Sequence, residues 1–359
     1  MQPVAEWDRV KAHSATLTKT AVAGGVANSS RVRTLTGVQI LGIGSYVPER
    51  VVTNEELERT HGLDPKWIVQ RTGIRERRYA APDQATSDLC FEAALRAIQA
   101  AHVAPSDIDL LLVATFTPDM STPSTACLVQ DRLGLVCGAC DVQAACSGFV
   151  YALALGMSMV VSGQSRLCLV VGGDCNSRII NPADHKTYPL FGDGAGAVVL
   201  APGGPDQGLL AYRLGSDGSG GELLMRPACG SRQVPTPEAL ARGDHYLKMD
   251  GRAVFRWAVN TICDSTEEVL SYSGLTPDDI DLVIPHQANT RIINAAMDVL
   301  GFPRAKVFQN LERYGNTSSG SIPIAMDEAR ALGYLNRGDR VLITGFGAGL
   351  TWGTGILVI

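Results

Sequence analysis

The chain has 359 residues, of which 45% are hydrophobic and 19% charged, and its formal net charge is −5 at pH 7. This composition is typical of a folded protein of about two domains, and the acidic balance argues against a nucleic-acid partner. The longest apolar stretch, residues 149–161, is shorter than the about 20 residues that cross a bilayer, so we expect no membrane insertion. Nine cysteines without a regular spacing indicate free thiols in a reducing compartment.

Residues 1–36 differ from the rest of the chain. They are rich in small and polar residues, contain few acids and show no steady hydrophobic period. They also lack the continuous apolar core of a secretory signal. A transit-like segment is one interpretation, but we favour a flexible or loosely attached N-terminal extension.

Two copies of one pattern follow the extension. The stretch "PSDIDLLLVA" begins at Pro105 and "PDDIDLVIPH" begins at Pro277, an offset of 277 − 105 = 172 residues. The same offset carries "LVVGG" at Leu169 onto "VLITG" at Val341. Each match is a short apolar segment of the kind that forms a buried strand, so the chain is predicted to repeat one unit.

Helical patterns at 89–101 and 253–272 precede the two strand-like "DID" segments. Strands alternating with helices predict an α/β chain. We therefore expect two duplicated α/β halves with mixed sheets, residues 37–206 and 207–359, and a ligand site between them. The glycine-rich stretch 215–243 has no counterpart in the first half and is predicted to be a loop insertion.

Cys146 is the candidate nucleophile. It follows the strand-like "DVQAA" and precedes the long apolar stretch, which predicts a position at a helix N-terminus. The positive potential there lowers the pKa of a thiol from about 8.5 toward neutrality. On this stretch alone two interpretations stay open, a reactive thiol and an inert buried cysteine.

Three segments of the second half are candidates to accompany that thiol. His286 ends the strand-like "DLVIPH", and ligands bind at strand ends in α/β sheets; the alternative is a structural histidine. Asn316 lies in "RYGNTSSGS", which is also ordinary turn and cap chemistry. The glycines of 345–355 offer free N–H groups for an oxyanion, or form a simple strand–turn–strand.

Other site types are not indicated. The sequence has no G-x-S-x-G, no phosphate-binding G-x-x-x-x-G-K-[ST] and no H-E-x-x-H. Cys137 and Cys140 form a lone C-x-x-C, and without a second pair this does not predict a zinc site. We therefore expect no metal.

From about Val38 to Ile359 the sequence resembles the 3-oxoacyl-[acyl-carrier-protein] synthases III, a family of thiolase-like fold. The matching motifs, in order, are "GIGSYVPERVVTN", "WIVQRTGIRERR", "AACSGFVYAL", "FGDGAGAVVL", "VIPHQANTRI", "RYGNTSSGSIP" and "GFGAGLTWG". The resemblance implies a layered αβαβα arrangement, a cytoplasmic homodimer and no permanently bound cofactor.

The resemblance also implies a reaction and a triad of Cys146, His286 and Asn316. Cys146 would take the acyl group from an acyl-CoA substrate. Malonyl-acyl carrier protein would then lose CO₂, and its enolate, held by His286 and Asn316, would attack the acyl group to initiate fatty acid biosynthesis. The N–H groups of Cys146 and Ala348 would form the oxyanion hole.

Further positions match family residues around this triad. Those implied to bind CoA are Trp67, Arg71, Gly251 and Asn289. Those implied to line the acyl pocket are Thr122, Leu190, Phe191, Phe255 and Leu350. Those implied to receive the acidic carrier protein are Arg256 and Arg291. The chain departs from the family where many relatives carry an arginine beside adenine, since His185 and Lys186 stand there.

Alternative functions stay open at this point. One is a related acyltransferase of specialised, polyketide-like metabolism, or a hydroxymethylglutaryl-CoA synthase. A thiolase would need a further cysteine in the C-terminal glycine loop, and none follows Cys263. A non-catalytic scaffold would be expected to lack the nucleophile. A cysteine hydrolase is disfavoured because the apolar stretch after Cys146 predicts a water-poor site.

Overall fold

Two five-stranded mixed sheets organise the computed structural model, which describes residues 31–359. Residues 1–30 of the predicted N-terminal extension lie outside the described residues. The strands are β1 (Arg33–Thr36), β2 (Val38–Tyr46), β3 (Arg50–Thr53), β4 (Glu76–Tyr79), β5 (Leu110–Ala114), β6 (Gly138–Val142), β7 (Cys168–Asp174), β8 (Gly194–Pro202), β9 (Gly208–Ser216), β10 (Leu224–Met225), β11 (Lys248–Met249), β12 (Leu282–Pro285), β13 (Arg340–Gly347) and β14 (Thr351–Val358). The α-helices are α1 (Asn54–His61), α2 (Pro65–Thr72), α3 (Thr86–Ala101), α4 (Thr125–Arg132), α5 (Gly148–Val161), α6 (Pro237–Ala241), α7 (Gly251–Ser273), α8 (Thr290–Leu300), α9 (Leu311–Tyr314) and α10 (Ser321–Ala331).

The two sheets repeat one arrangement of strands. The first has the order β2-β8-β7-β5-β6 and the second the order β1-β9-β14-β13-β12. At the 172-residue offset, β5 corresponds to β12 and β7 corresponds to β13. In the first sheet β5 pairs in parallel with β7, and in the second sheet β12 pairs in parallel with β13. The next pair is antiparallel in both, β7 with β8 and β13 with β14. The predicted duplication of α/β halves with mixed sheets is confirmed.

Helices α5 and α10 form the layer between the sheets. Their buried side chains, Phe149 and Met326 among them, share one hydrophobic core with Val170 of the first sheet and Ile343 of the second. Helix α3 covers the outer face of the first sheet, and α7 and α8 cover that of the second. Among residues 31–359 no helix is long and apolar enough to span a membrane.

Some boundaries differ from the sequence prediction. Residues 33–36 were assigned to the extension, but they form β1 at the edge of the second sheet. Because none of these four residues is fully buried, their sequence shows no alternation of apolar and polar residues. The predicted insertion 215–243 contains the short strand β10 and helix α6 besides the end of β9. Helix α7 begins at Gly251, two residues earlier than expected, because the Asp250 side chain accepts hydrogen bonds from its first turn.

Candidate active site

Cys146 lies in the 3₁₀ turn Ala145–Ser147, which leads into α5. Ala145 has φ 46°, in the left-handed region that few residues other than glycine adopt. The turn packs against the end of β13, where a Cβ atom on Gly347 would lie 2.6 Å from the Cys146 nitrogen. Glycine at 347 is therefore required for the turn to approach β13. The Cys146 side chain is buried by this packing.

The residue in contact with the thiol occupies the equivalent position of the second half. Ser318 Oγ donates a hydrogen bond to Cys146 Sγ over 3.3 Å, and 318 − 146 = 172 is the repeat offset. Ser318 also lies in a 3₁₀ turn, Ser318–Gly320, and has φ 51°. The two duplicated turns thus meet at the candidate nucleophile.

His286 follows the end of β12, and its backbone N–H donates to the Thr344 carbonyl at 2.7 Å. Its Nδ1 lies 2.7 Å from Ser321 Oγ, which accepts the Gln287 N–H at 3.4 Å. With the Ser321 hydroxyl as the donor to Nδ1, the ring proton lies on Nε2. Phe346 holds the ring edge-to-face, with 5.2 Å between centroids. His286 can thus donate from Nε2.

Asn316 is fixed by its backbone and by its side-chain oxygen. Its N–H donates to the Leu190 carbonyl at 2.8 Å, and its carbonyl accepts from Gly192 N–H at 3.0 Å. Its Oδ1 accepts the Ser318 N–H at 2.8 Å. Because Oδ1 is engaged, the side-chain amide presents Nδ2 as its free donor.

A cavity of about 80 Å³ brings the predicted triad together. Its walls are Cys146, Leu190, Phe191, Leu224, Met249, Val254, His286, Ala288, Asn289, Ile292, Asn316, Phe346 and Gly347. Besides the triad, these include the predicted residues Leu190, Phe191 and Asn289. The remaining predicted site residues do not line it. The sequence reasoning missed Leu224 and Met249, which come from the β10–β11 ribbon.

Burial, rather than a helix terminus, governs the thiol. It raises the pKa of Cys146 to about 12, against a lowering by the Ser318 hydrogen bond and a smaller raising by the Asp174 charge. The expectation of a pKa near neutrality for Cys146 is therefore wrong. The 3₁₀ turn separates the thiol from the first turn of α5, and the closed packing removes water.

Asp174 ties the two halves together beneath this turn. Its Oδ1 accepts from the Thr115 hydroxyl at 2.9 Å, the Phe116 N–H at 3.0 Å and both donors of Thr117. Its Oδ2 accepts from Ser319 N–H at 3.1 Å and Ser319 Oγ at 2.5 Å. The carboxylate thus anchors the turn that carries Ser318 to the ends of β5 and β7. No motif of the sequence pointed to Asp174.

Of the residues implied to bind CoA, Asn289 lines the cavity, and Arg71 and Gly251 are next to residues that line it. Asn289 Nδ2 donates to the Arg71 carbonyl at 3.0 Å, which joins the end of α2 to the start of α8. Trp67, on α2, is 36% exposed, and the Arg71 side chain is exposed. Gly251 begins α7, and a Cβ atom there would lie 3.7 Å from Met249, a cavity residue.

Three other predicted residues are not among those that line the cavity. Residues 345–355 form the β13–β14 hairpin, in which Ala348 is half-buried and Leu350 is 2% exposed. Leu350 exchanges backbone hydrogen bonds with Asp217. Thr122 is exposed on the described chain, in the loop before α4.

The two arginines implied to receive the carrier protein are neighbours on the surface. Arg256 on α7 and Arg291 on α8 are both exposed. The Arg291 guanidinium lies 5.6 Å from the centre of the Phe255 ring, a cation–π contact. Phe255 thus supports Arg291 instead of lining the cavity.

Comparison with known proteins decides the family. The family model "3-Oxoacyl-[acyl-carrier-protein (ACP)] synthase III" matches residues 140–218, and the model of its C terminal matches residues 270–359. The beta-ketoacyl-[acyl-carrier-protein] synthase III of Rhodopirellula baltica is 53% identical over 340 residues, 90% of this chain and 98% of the relative. This chain belongs to the 3-oxoacyl-[acyl-carrier-protein] synthase III family.

Solved structures confirm the thiolase-like fold for this synthase III family member. The 3-oxoacyl-[acyl-carrier-protein] synthase III of Aquifex aeolicus has a TM-score of 0.83 and 42% identity, over 90% of this chain and 100% of that one. The priming beta-ketosynthase of the R1128 polyketide biosynthetic pathway has a TM-score of 0.82 and 36% identity, over 90% and 96%. The chain is thus an enzyme of the acyltransferase class.

The departure from the synthase III pattern lies on the surface. His185 and Lys186 are both exposed, and the Lys186 backbone N–H is bound by Asp184 Oδ1 at 3.0 Å. Within residues 31–359, no three His, Cys, Asp or Glu side chains are placed to hold a metal ion.

The buried His286 predicts a pH dependence of stability. Burial lowers the pKa of His286 to about 3, whereas an unfolded histidine has a pKa of about 6.5. The unfolded state therefore binds the proton first as pH falls below about 6.5, and folding loses about 1.4 kcal/mol per pH unit until about pH 3. From this group alone we expect a loss of about 2 kcal/mol at about pH 5.

Urea unfolding of the parent and of His286→Gln, at neutral pH and at about pH 5, measures the contribution of His286 to the free energy of unfolding. The variant should lose about 2 kcal/mol less than the parent over that interval. Equal losses in the two proteins would show that His286 is not desolvated in solution.

Proposed function

We propose that this chain catalyses the decarboxylative Claisen condensation of an acyl-CoA with malonyl-acyl carrier protein, which starts fatty acid biosynthesis. The observation that carries the proposal is the convergence of Cys146, His286 and Asn316 on one buried cavity. A thiol can hold an acyl group, and two neutral donors can stabilise an enolate. Acyl-CoA is a substrate here, and no permanently bound cofactor is needed.

In the first half-reaction the Cys146 sulfur attacks the thioester carbon. The new C–S bond forms as the bond to CoA breaks, and the thiol proton leaves with the CoA sulfur. A thiol of high pKa needs this proton to move as the bond forms. The N–H groups of Cys146 and Ala348 would stabilise the tetrahedral oxyanion, at about 3–4 kcal/mol per donor.

In the second half-reaction the malonyl group loses CO₂. The electron pair of the broken C–C bond moves to the thioester oxygen, where Nε2–H of His286 and Nδ2–H of Asn316 donate to it. The enolate carbon then attacks the acyl carbon, and Cys146 leaves and regains a proton. Among the described residues that line the cavity none is a carboxylate, which would repel the enolate.

Intact-protein mass spectrometry after incubation with a panel of acyl-CoAs tests the proposal. We expect a mass gain equal to the acyl group, lost again when malonyl-acyl carrier protein is added and 3-oxoacyl carrier protein appears. A chain that accepts no acyl group from any acyl-CoA would refute the proposed function and leave a non-catalytic scaffold.

A second candidate is priming of a specialised, polyketide-like pathway. It is favoured by the likeness to the R1128 priming ketosynthase, which shares the fold at 36% identity. The chemistry is the same, so the acyl-CoA and the carrier protein that react fastest would distinguish the two. A hydroxymethylglutaryl-CoA synthase would instead use a second CoA thioester as acceptor and release no CO₂.

Arg256 and Arg291 are proposed to dock the acidic carrier protein. Exposed charges at the rim of an interface mainly set encounter rates and are screened by salt. Reversing both to glutamate should lower kcat/KM for malonyl-acyl carrier protein by about tenfold or more, and leave acylation by acyl-CoA unchanged. Arg337→Glu, a reversal outside α7 and α8, is the control. Equal damage to both half-reactions would place the arginines at the CoA site instead.

The acyl chain length is proposed to depend on Thr122. In acetyl-preferring relatives a large aromatic residue of the partner subunit closes the acyl pocket at the matching position. Threonine leaves that space open, and each buried methylene contributes about 0.8 kcal/mol. Four methylenes would then favour the longer chain by more than about a hundredfold. We expect decanoyl-CoA to be accepted at least as well as acetyl-CoA.

Competition between acetyl-CoA and decanoyl-CoA for Cys146, followed by mass, checks this. Thr122→Phe should cut decanoylation and spare acetylation, and Thr122→Ser is the matched control. A strong acetyl preference in the parent would contradict the open pocket.

A cytoplasmic homodimer is part of the same proposal. Strand β6 is an edge strand that pairs only with β5 in the described chain. On α5, Leu155 and Met159 are 47% and 37% exposed, which leaves apolar surface for a second copy. Sedimentation equilibrium at micromolar concentration tests the dimer, and a monomer would contradict it.

A further inference from the structure

Arg77, on β4, is a fully buried cation with no anionic partner. Its side chain is 0% exposed, and no ion pair within residues 31–359 includes it. Instead Nη1 donates to Val52 O at 3.2 Å and to Asn54 Oδ1 at 2.8 Å. Nη2 donates to Pro189 O at 2.7 Å. Burying an unpaired charge is costly, so its retention indicates a specific use.

The bond to Pro189 reaches the wall of the active site. Leu190 and Phe191, the next two residues, line the cavity. The Leu190 carbonyl accepts the N–H of Asn316 at 2.8 Å, and the Gly192 N–H donates back to Asn316 at 3.0 Å. The segment held by the arginine is therefore the one that holds Asn316.

The packing around Arg77 leaves little room for movement. A Cβ atom on Gly192 would lie 3.2 Å from Arg77 Cβ and 2.1 Å from the Tyr314 carbonyl. A Cβ atom on Gly315 would lie 3.3 Å from Arg77 Cβ. The two segments that carry the cavity residues thus cross in direct contact with the arginine, and only glycine fits at the crossing.

We propose that Arg77 is a positioning residue for the condensation step: its guanidinium fixes the Pro189 carbonyl and, through residues 190–192, the amide of Asn316. The inference rests on the proposed function. The planar guanidinium reaches Asn54 Oδ1 and the Pro189 carbonyl from two separate nitrogens held in one rigid fork, whereas the N–H donors of a lysine ammonium all start from one nitrogen. A displacement of about 1 Å at a reacting group can cost about a hundredfold in rate.

The test separates the two half-reactions in Arg77→Lys and Arg77→Met. We expect kcat for condensation to fall at least about tenfold in both, with KM for malonyl-acyl carrier protein and the rate of Cys146 acylation within about threefold of the parent. Arg77→Lys keeps the buried charge and should fold even where Arg77→Met does not, so it carries the test alone if necessary.

Asn54→Ala is the matched control. It removes one acceptor of Arg77 and a bond to Ile74 O, so it should lower stability, but it leaves the Pro189 bond and should keep condensation near the parent rate. A normal kcat in folded Arg77→Lys would overturn the inference. So would a parallel fall of both half-reactions in all three variants, which would indicate stability alone. A parent that cannot be acylated would instead refute the proposed function.

Discussion

Cys146→Ala is expected to gain no mass with any acyl-CoA and to lose condensation by about 10³-fold or more. The variant removes the only thiol among the described residues that line the cavity with His286 and Asn316. The other sulfur there is the unreactive thioether of Met249. Alanine also fits the closed packing of the turn, so the loss should not come from misfolding. Thermal unfolding of the variant checks this directly.

The chain offers a matched control among its other thiols. All nine cysteines are free, and Cys127 is exposed. If acylation were a non-specific reaction of accessible thiols, Cys127→Ala would reduce it and Cys146→Ala would not. We expect the reverse, and a normal adduct in Cys146→Ala would rule out the assignment of the nucleophile.

His286→Ala and Asn316→Ala are expected to lose condensation by about 10²–10⁴-fold while Cys146 is still acylated. Each variant removes a donor aimed at the enolate oxygen, which forms only in the second half-reaction. The donors act in a buried site, where a hydrogen bond to a developing charge is worth more than in water. Quenched time courses of the acyl-enzyme and of the 3-oxoacyl product measure the rates of the two half-reactions separately.

Asn316→Asp sharpens this test. It keeps an oxygen that can accept the Ser318 N–H, but it replaces the Nδ2 donor by an acceptor. If Asn316 acts as a donor to the enolate, the aspartate variant should be at least as impaired in condensation as alanine. Recovery of activity in Asn316→Asp would assign the residue a structural role instead.

Much of this arrangement could be predicted from the repeat. The offset between Pro105 and Pro277 identifies which strands correspond, and corresponding strands pair in the same way in the two sheets. It also carries Cys146 onto Ser318, whose hydroxyl contacts the thiol. The motifs around Cys146, His286 and Asn316 correctly indicated residues that meet in one cavity.

The rest depends on contacts that no local pattern encodes. The thiol's high pKa comes from closed packing against Gly347, which is two hundred residues away in the chain. The Asp174 anchor draws its donors from two separate segments, residues 115–117 and Ser319, so its role appears only once they are folded together. Leu224 reaches the cavity from the stretch 215–243, whose glycine content indicated a loop, and Met249 reaches it from just beyond that stretch.

A single-turnover experiment tests whether the acyl group on Cys146 is consumed by decarboxylative condensation. Enzyme carrying one acyl group on Cys146 is freed of CoA and mixed with malonyl-acyl carrier protein, and CO₂, 3-oxoacyl carrier protein and the mass of the enzyme are measured together. We expect one CO₂ and one 3-oxoacyl carrier protein for each acyl group lost. Release of the acyl group as a free acid without CO₂ would contradict it and identify a hydrolase.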